Sequence, residues 1–358
     1  MFDDIQPQSV DAASIGAVRR SYLDGPTPVR LIEPTDADVD LLHWTASHTD
    51  DVLEELSATG AVLFRGFSVD TIDALRRFAQ TFSPELIPYT ERRSPRTELG
   101  DQIYTSTIHP QDQYIHFHNT TSFSHQWPRK LWFSCIQPAE WEGRTPLADC
   151  RKVLAGMDPQ VAEEFRAKGV LYVSNYHDGI GLSWQATFQT EDKADVEAYC
   201  TRQGIEFEWL GDGERLRTKA RRHAVAIHPD TGEEVWFNQA HHYHVASLEE
   251  EVTKALLDTF AEEDLPRHAY FGDGTPIDRQ TLEHIYDCYE RNQNSFLWER
   301  GDVVMLDNML VAHSRTPYRG ERLIALALAQ MYVPQYTGGG VAEAGSITDS
   351  TEMEAETL

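Results

Sequence analysis

Along most of the chain, apolar residues come in short runs bounded by polar or turn residues, and few of them recur at helical spacing. The runs Ala61–Gly66, Tyr114–His118, Leu131–Ile136, Ala224–Ile227, Val303–Leu306 and Leu323–Val333 therefore read as strands. Val69–Phe82 breaks the pattern, because Ile72, Leu75, Phe78 and Phe82 fall on one face of a helix. A second helix is expected over Leu248–Glu262, with Ser247 as its N-cap and Glu250 three residues on completing a capping box. Many short strands with few helices predict a mainly β protein with flanking helices, built as a sandwich or jelly roll. Pro and Gly are dispersed and no period repeats, so residues 1–336 read as a single domain. The stretch 337–358 is glycine-rich and then acidic, and is expected to be a disordered tail.

Composition narrows the chemistry. The chain has 358 residues, 41% of them hydrophobic, enough for a large core and too many for a disordered protein. Its 31 basic and 58 acidic residues leave a formal charge of −27, which argues against nucleic acid or anionic membrane as a partner. Cys135, Cys150, Cys200 and Cys288 lie far apart without metal-type spacing, as buried thiols in a reducing compartment would. The start of the chain has no export-signal pattern, and no stretch approaches the ~18 apolar residues of a membrane helix, so a cytoplasmic location is expected.

In IHFHNTTSF, side chains two apart on an extended segment point the same way, so His116, His118 and Thr120 share a face. Far downstream, GDVVMLDNMLVAHSRTPYRGER places His313 after an apolar run and Arg322 nine residues later, opening the next. Either histidine alone is more often a packed or surface residue than a ligand. The ordered series is more telling: His118, then Thr145 in EGRTPLAD 27 residues later, then His313 and Arg322. With GAVLFRGF at 60–67, YTSTIHP at 104–110, DGIGLSWQATFQT at 178–190 and YFGDGTPI at 270–277, it resembles the Fe(II)/2-oxoglutarate oxygenases. Within them the chain is similar to the taurine-dioxygenase-like group, near the clavaminate-synthase-like and syringomycin-cluster-type enzymes. The resemblance implies a double-stranded β-helix, Fe(II), 2-oxoglutarate as cosubstrate and O2. His118 and His313 match the metal ligands. Arg322 and Thr145 match the residues that hold the distal carboxylate of 2-oxoglutarate. A small polar, amino-acid-derived substrate, free or carrier-tethered, is the implied partner.

The chain departs from that group at one position. Where the group has a metal-binding carboxylate two residues after the first histidine, this sequence has Thr120. Three readings follow: an iron site open to chloride or water, as in the related halogenases; a substitute ligand from His116, Asp112 or Glu142; or a non-catalytic binding protein with a degenerate site. The first makes Thr120 a determinant of outcome, chlorination against hydroxylation or desaturation. Arg315 is expected to take part in catalysis, and Tyr104, His116, Asp178, Trp184, Gln185, Asn238 and His242 are substrate-pocket candidates.

Overall fold

The computed structural model describes residues 18–36, 39–89, 96–177, 180–211, 213–336 and 340–348. Its spine is a pair of long antiparallel strands, Trp127–Gln137 and Leu323–Tyr336, in register from Tyr332 opposite Trp127 to Ile324 opposite Cys135. The apolar run in the second strand is continuous because both faces are covered. Ile324, Leu326 and Leu328 face the largest core, while Ala325, Ala327 and Ala329 face a second cluster containing Trp132, Met305 and Phe78. Small alanines on that side let the helices Leu41–Thr59 and Ile72–Phe82 pack closely.

Around this spine the described residues form an eleven-stranded sheet. Val303–Asp307 pairs with Trp127–Gln137 and leads through Ala61–Phe64 and Val29–Pro34 to Val18–Leu23 at one edge. A four-stranded sheet, ordered Gln293–Asn294, Leu147–Asp149, Val311–Arg315 and Ile115–His118, shares the same core. Phe117, Leu147, Ala148, Val311 and Ala312 pack there with Phe133, Leu306 and Leu326 of the larger sheet. Two sheets closed over one core make the expected jelly roll. Another four-stranded sheet, centred on Val170–Tyr176 and Arg215–Arg222, carries a smaller cluster around Trp184 and Leu216.

Two local expectations are corrected. The helix expected over Leu248–Glu262 spans Glu250–Thr259 and has no side-chain cap. Ser247 belongs instead to the short 3-10 turn Val245–Ser247, and its hydroxyl donates to the His242 carbonyl at 3.1 Å, so it cannot serve a capping box. Within the stretch expected as a disordered tail, Val341–Thr348 is a strand, antiparallel to Leu323–Tyr336 and parallel to Val225–Ile227. Backbone pairing with an otherwise open edge outweighs its unpromising composition.

A buried ionic cluster fixes the end of Val303–Asp307. Asp307 accepts from Lys130 Nζ at 2.7 Å and lies 3.2 Å from His228 Nε2. Burial alone would raise its pKa, but Lys130, His228 and Arg129 hold it well below the usual carboxylate range. Its other oxygen accepts from the amides of Met309 and Leu310, shaping the turn into the strand that carries His313.

Candidate active site

His118 and His313 lie 195 positions apart in sequence, yet they are direct partners in the antiparallel ladder between Ile115–His118 and Val311–Arg315. Their ring centroids are 4.4 Å apart. His118 Nδ1 is 2.8 Å from the His116 carbonyl; an Nδ1–H donated there leaves the Nε2 lone pair for a metal. Burial pushes the His118 pKa down to about 4 and that of His313 well below its ordinary value, so both imidazoles are neutral, as ligands must be. His313 Nδ1 is buried without a partner. Two neutral, adjacent imidazoles fit a divalent iron.

Residue 120 does not complete a three-ligand set. The Thr120 side chain is buried, and Oγ1 has no hydrogen-bond partner. Its backbone is clamped by Asn308, which accepts from Thr120 N at 2.8 Å and donates to Thr120 O at 2.9 Å. Asn119 returns a bond to Asn308 O at 2.6 Å, and Gln239 donates to Asn119 O at 2.8 Å. Position 120 is therefore held rigidly in the cavity wall it shares with His118, but its side chain is a neutral hydroxyl.

The substitute ligands considered from sequence are occupied elsewhere or apart. Glu142 accepts from Arg144 at 3.0 Å, His116 Nε2 lies 3.2 Å from the Ser247 carbonyl, and Asp112 lines the wider cavity. Among the described residues no group of three His, Cys, Asp or Glu side chains could hold a metal ion.

The strand ladder also delivers Thr145. His313 pairs with Leu147, Ser314 N donates to Pro146 O, and Arg144 N donates to Thr316 Oγ1, which draws Thr145 alongside the second histidine. Thr145 Oγ1 accepts from Trp298 Nε1 at 3.0 Å, leaving its own O–H free to donate to a ligand. Arg322 enters from the start of Leu323–Tyr336 and donates through Nε to the Gly143 carbonyl at 3.2 Å. A Cβ at position 143, where φ is 77°, would lie 3.2 Å from Arg322 Cδ, so glycine permits this close approach. Burial, aided by the neighbouring Arg315, pulls the Arg322 pKa down to about 10. No carboxylate of the described residues pairs with Arg322, and Thr145, His118, His313 and Arg322 together line a small cavity of about 40 Å³.

This cavity adjoins one of about 650 Å³, with His118, Ile115, Thr107 and Arg96 lining both. Thr120, His116 and His242 line the larger one, and the His242 ring stacks 5.8 Å from His118. Arg315 lines the small cavity, but its guanidinium donates to the carbonyls of His109, Pro110 and Gln113 at 3.1, 2.5 and 2.7 Å, so it braces the loop over the site.

Four pocket candidates lie elsewhere. Tyr104 accepts from Tyr89 N and supports that residue, which does line the larger cavity. Asn238 is spent on the backbone of Ala224 and Ala240. Trp184 donates to Glu214 O in the small cluster of the outer sheet, and Gln185 is exposed on the helix Trp184–Phe188. Asp178 lies outside the described residues. Conversely, sequence reasoning missed Arg96, Asn308 and Trp298. Only Asn308 left a trace, as half of a polar Asp-Asn pair ending an apolar strand.

The profile of the taurine catabolism dioxygenase TauD, TfdA family matches residues 25–328. A dapdiamide synthesis protein, DdaC, from Enterobacter agglomerans is 38% identical over 315 residues, covering 88% of this chain and 95% of that one. A clavaminate synthase-like protein from Arabidopsis thaliana is 29% identical over 293 residues, covering 79% and 84%. Among solved structures, PvcB, described as an Fe, alpha-ketoglutarate dependent oxygenase from an isonitrile synthetic pathway, superposes with a TM-score of 0.53 at 15% identity, covering 90% and 95%. AAD-2 in complex with Mn(II) and N-oxalylglycine gives 0.51 at 14%, covering 88% and 97%. With the sequence matches extending over the jelly roll and both histidine strands, the chain belongs to the TauD/TfdA dioxygenase family, and so to the oxygenases that depend on Fe(II) and 2-oxoglutarate.

Proposed function

We propose that this chain functionalises an aliphatic C–H bond of a small, polar, amino-acid-derived molecule, and that Thr120 opens the iron to an external anion so that chlorination is its outcome. The observation carrying the reading is the adjacent His118–His313 pair with a neutral, unpartnered Thr120 hydroxyl at a position that shares a cavity with His118, where the wider group has a carboxylate. Losing a carboxylate raises the charge of the metal site by one, and in a buried site that favours recruiting an anion. Bound iron with 2-oxoglutarate supplies the oxidising chemistry that breaks an unactivated C–H bond. The chain does the rest. His118, oriented through Nδ1, and His313 hold the metal; Arg322 and the Thr145 hydroxyl hold the distal carboxylate of 2-oxoglutarate; Arg315 braces the loop 109–113. The larger cavity carries acidic Asp112 and Glu249 with basic Arg96 and Arg267, which suits a zwitterionic or amide-bearing substrate. Relatives named for dapdiamide synthesis and as clavaminate synthase-like favour the same amino-acid-derived class.

The test is succinate release from 2-oxoglutarate across free amino acids and their pantetheine thioesters, with product masses read in chloride, bromide and halide-free buffer. A chlorinated product that shifts to a brominated one in bromide, and is absent from Thr120→Glu, is expected. Hydroxylated product alone at saturating chloride, unchanged in Thr120→Gly, refutes chlorination while leaving the oxygenase assignment intact.

A further inference from the structure

Arg96 stands where the two cavities meet, and it is the one residue there whose charge has no evident use. It lines both cavities together with His118, and its field contributes to the low pKa of His118 and of His313, so it lies within electrostatic reach of both metal ligands. Its Nε and Nη1 are buried without an acceptor, and no carboxylate of the described residues pairs with it. The neighbouring arginines are engaged differently: Arg315 donates through both terminal nitrogens to three carbonyls, with only its Nε unpaired, and Arg322 donates to Gly143 O. The Arg96 guanidinium instead rests over the Tyr89 ring, 4.6 Å from its centroid, a platform that orients the group without neutralising it.

We propose that Arg96 is the anion-holding residue of the substrate cavity and that it takes a carboxylate of the substrate at the edge of the iron site. This inference rests on the oxygenase reading and adds to it a substrate feature: a carboxylate placed close to the metal. Charge balance supports it. Two neutral imidazoles and a neutral threonine leave the metal's charge uncompensated by protein, and Arg96 adds another positive charge beside it. Arg96 is half-buried, but its enclosed Nε and Nη1 have given up water without gaining an acceptor, and an arriving anion relieves that cost. Size and shape favour an organic carboxylate over a halide, because a planar guanidinium matches two oxygens and the cavity it faces is about 650 Å³. The cosubstrate's distal carboxylate already has Arg322 and Thr145. Across the same cavity, Asp112 and Glu249 offer negative charge to a substrate ammonium, which orients an amino-acid-type molecule with its acid end inward.

The experiment uses the full chain loaded with Mn(II) and 2-oxoglutarate. Calorimetric and thermal-shift titrations compare amino acids and their Nα-acetyl derivatives with the matching primary amides, and with sodium chloride and bromide. Carboxylates are expected to bind and their amides not to. Arg96→Gln should weaken carboxylate binding about tenfold to a hundredfold, with 2-oxoglutarate affinity within about threefold of wild type; Arg96→Lys should recover part of the loss. Equal binding of acids and amides, no carboxylate binding at all, or undiminished binding to Arg96→Gln overturns the assignment. Halide binding lost in Arg96→Gln, with carboxylates unaffected, overturns it in favour of an inorganic anion. Failure of the wild-type chain to bind 2-oxoglutarate would bring down the oxygenase reading itself, a result separable from all of these.

Discussion

Arg322 offers a prediction whose sign distinguishes a ligand-binding arginine from a structural one. Burial pulls its pKa down to about 10. At neutral pH the cation persists, so that lowering corresponds to ~3 kcal/mol of unfavourable burial together with repulsion from Arg315. Against this stand the bond to Gly143 O, about 1 kcal/mol, and a contact with the Tyr318 ring at 5.5 Å, ~0.5–1 kcal/mol. Arg322→Met keeps the apolar stem and removes the charge, so the ligand-free chain should be unchanged or more stable by ~1 kcal/mol in urea unfolding. Binding should move the other way. Loss of charge-assisted bonds to the distal carboxylate, worth ~1.5–3 kcal/mol, weakens 2-oxoglutarate roughly tenfold to a hundredfold in anaerobic calorimetry. Lys130→Met is the control. Lys130 is the more deeply buried of the two, but it neutralises Asp307 at 2.7 Å, so its removal should cost ~3–5 kcal/mol and leave 2-oxoglutarate binding nearly intact in whatever fraction folds. If Arg322→Met destabilises the chain as much as Lys130→Met, or still binds 2-oxoglutarate within about twofold of wild type, Arg322 is a structural cation and the reasoning fails.

Asn308→Ala should remove the clamp on Thr120 by deleting three side-chain hydrogen bonds, from Thr120 N and to Thr120 O and Pro128 O, with Thr120 O keeping the Thr121 hydroxyl; the expected loss is about 3 kcal/mol in urea, with weaker Mn(II) binding, and unchanged metal affinity would refute the positioning role. Acid stability follows from histidines outside the metal pair: burial pushes His223 and His241 down to about 3 and His244 and His268 to about 4. The unfolded chain binds more protons than the folded one between these values and about 6.5, so stability is complete above that range and falls as pH drops through it, by up to ~1.4 kcal/mol per pH unit for each group. Urea midpoints of metal-free chain at pH 7, 6 and 5 should decline steadily, and equal midpoints would contradict the buried neutral state.

The sequence by itself determined what backbone periodicity and local chemistry can decide. Alternation in IHFH put His116 and His118 on one face, and both line the larger cavity. The apolar spacing of Ile72–Phe82 made a helix that buries Leu75, Phe78 and Phe82, capped by Thr71. The order of His118, Thr145, His313 and Arg322 disclosed the family, because spacing between ligands on successive strands is preserved along the chain. Tertiary structure alone decided which of the remaining polar residues met. Thr145 reaches His313 because one strand register continues past Leu147, and a slip of one residue would have turned it away. Trp184 and Asn238 sit in suggestive motifs, yet their polar groups are consumed by backbone 30 and 14 residues away. Val341–Thr348 looked like a solvated tail and became a strand because an open edge was there to receive it. Arg96 had no motif at all. Its significance comes from a cavity wall built by segments distant in sequence, and from the lack of an acceptor within reach, neither of which has a one-dimensional signature.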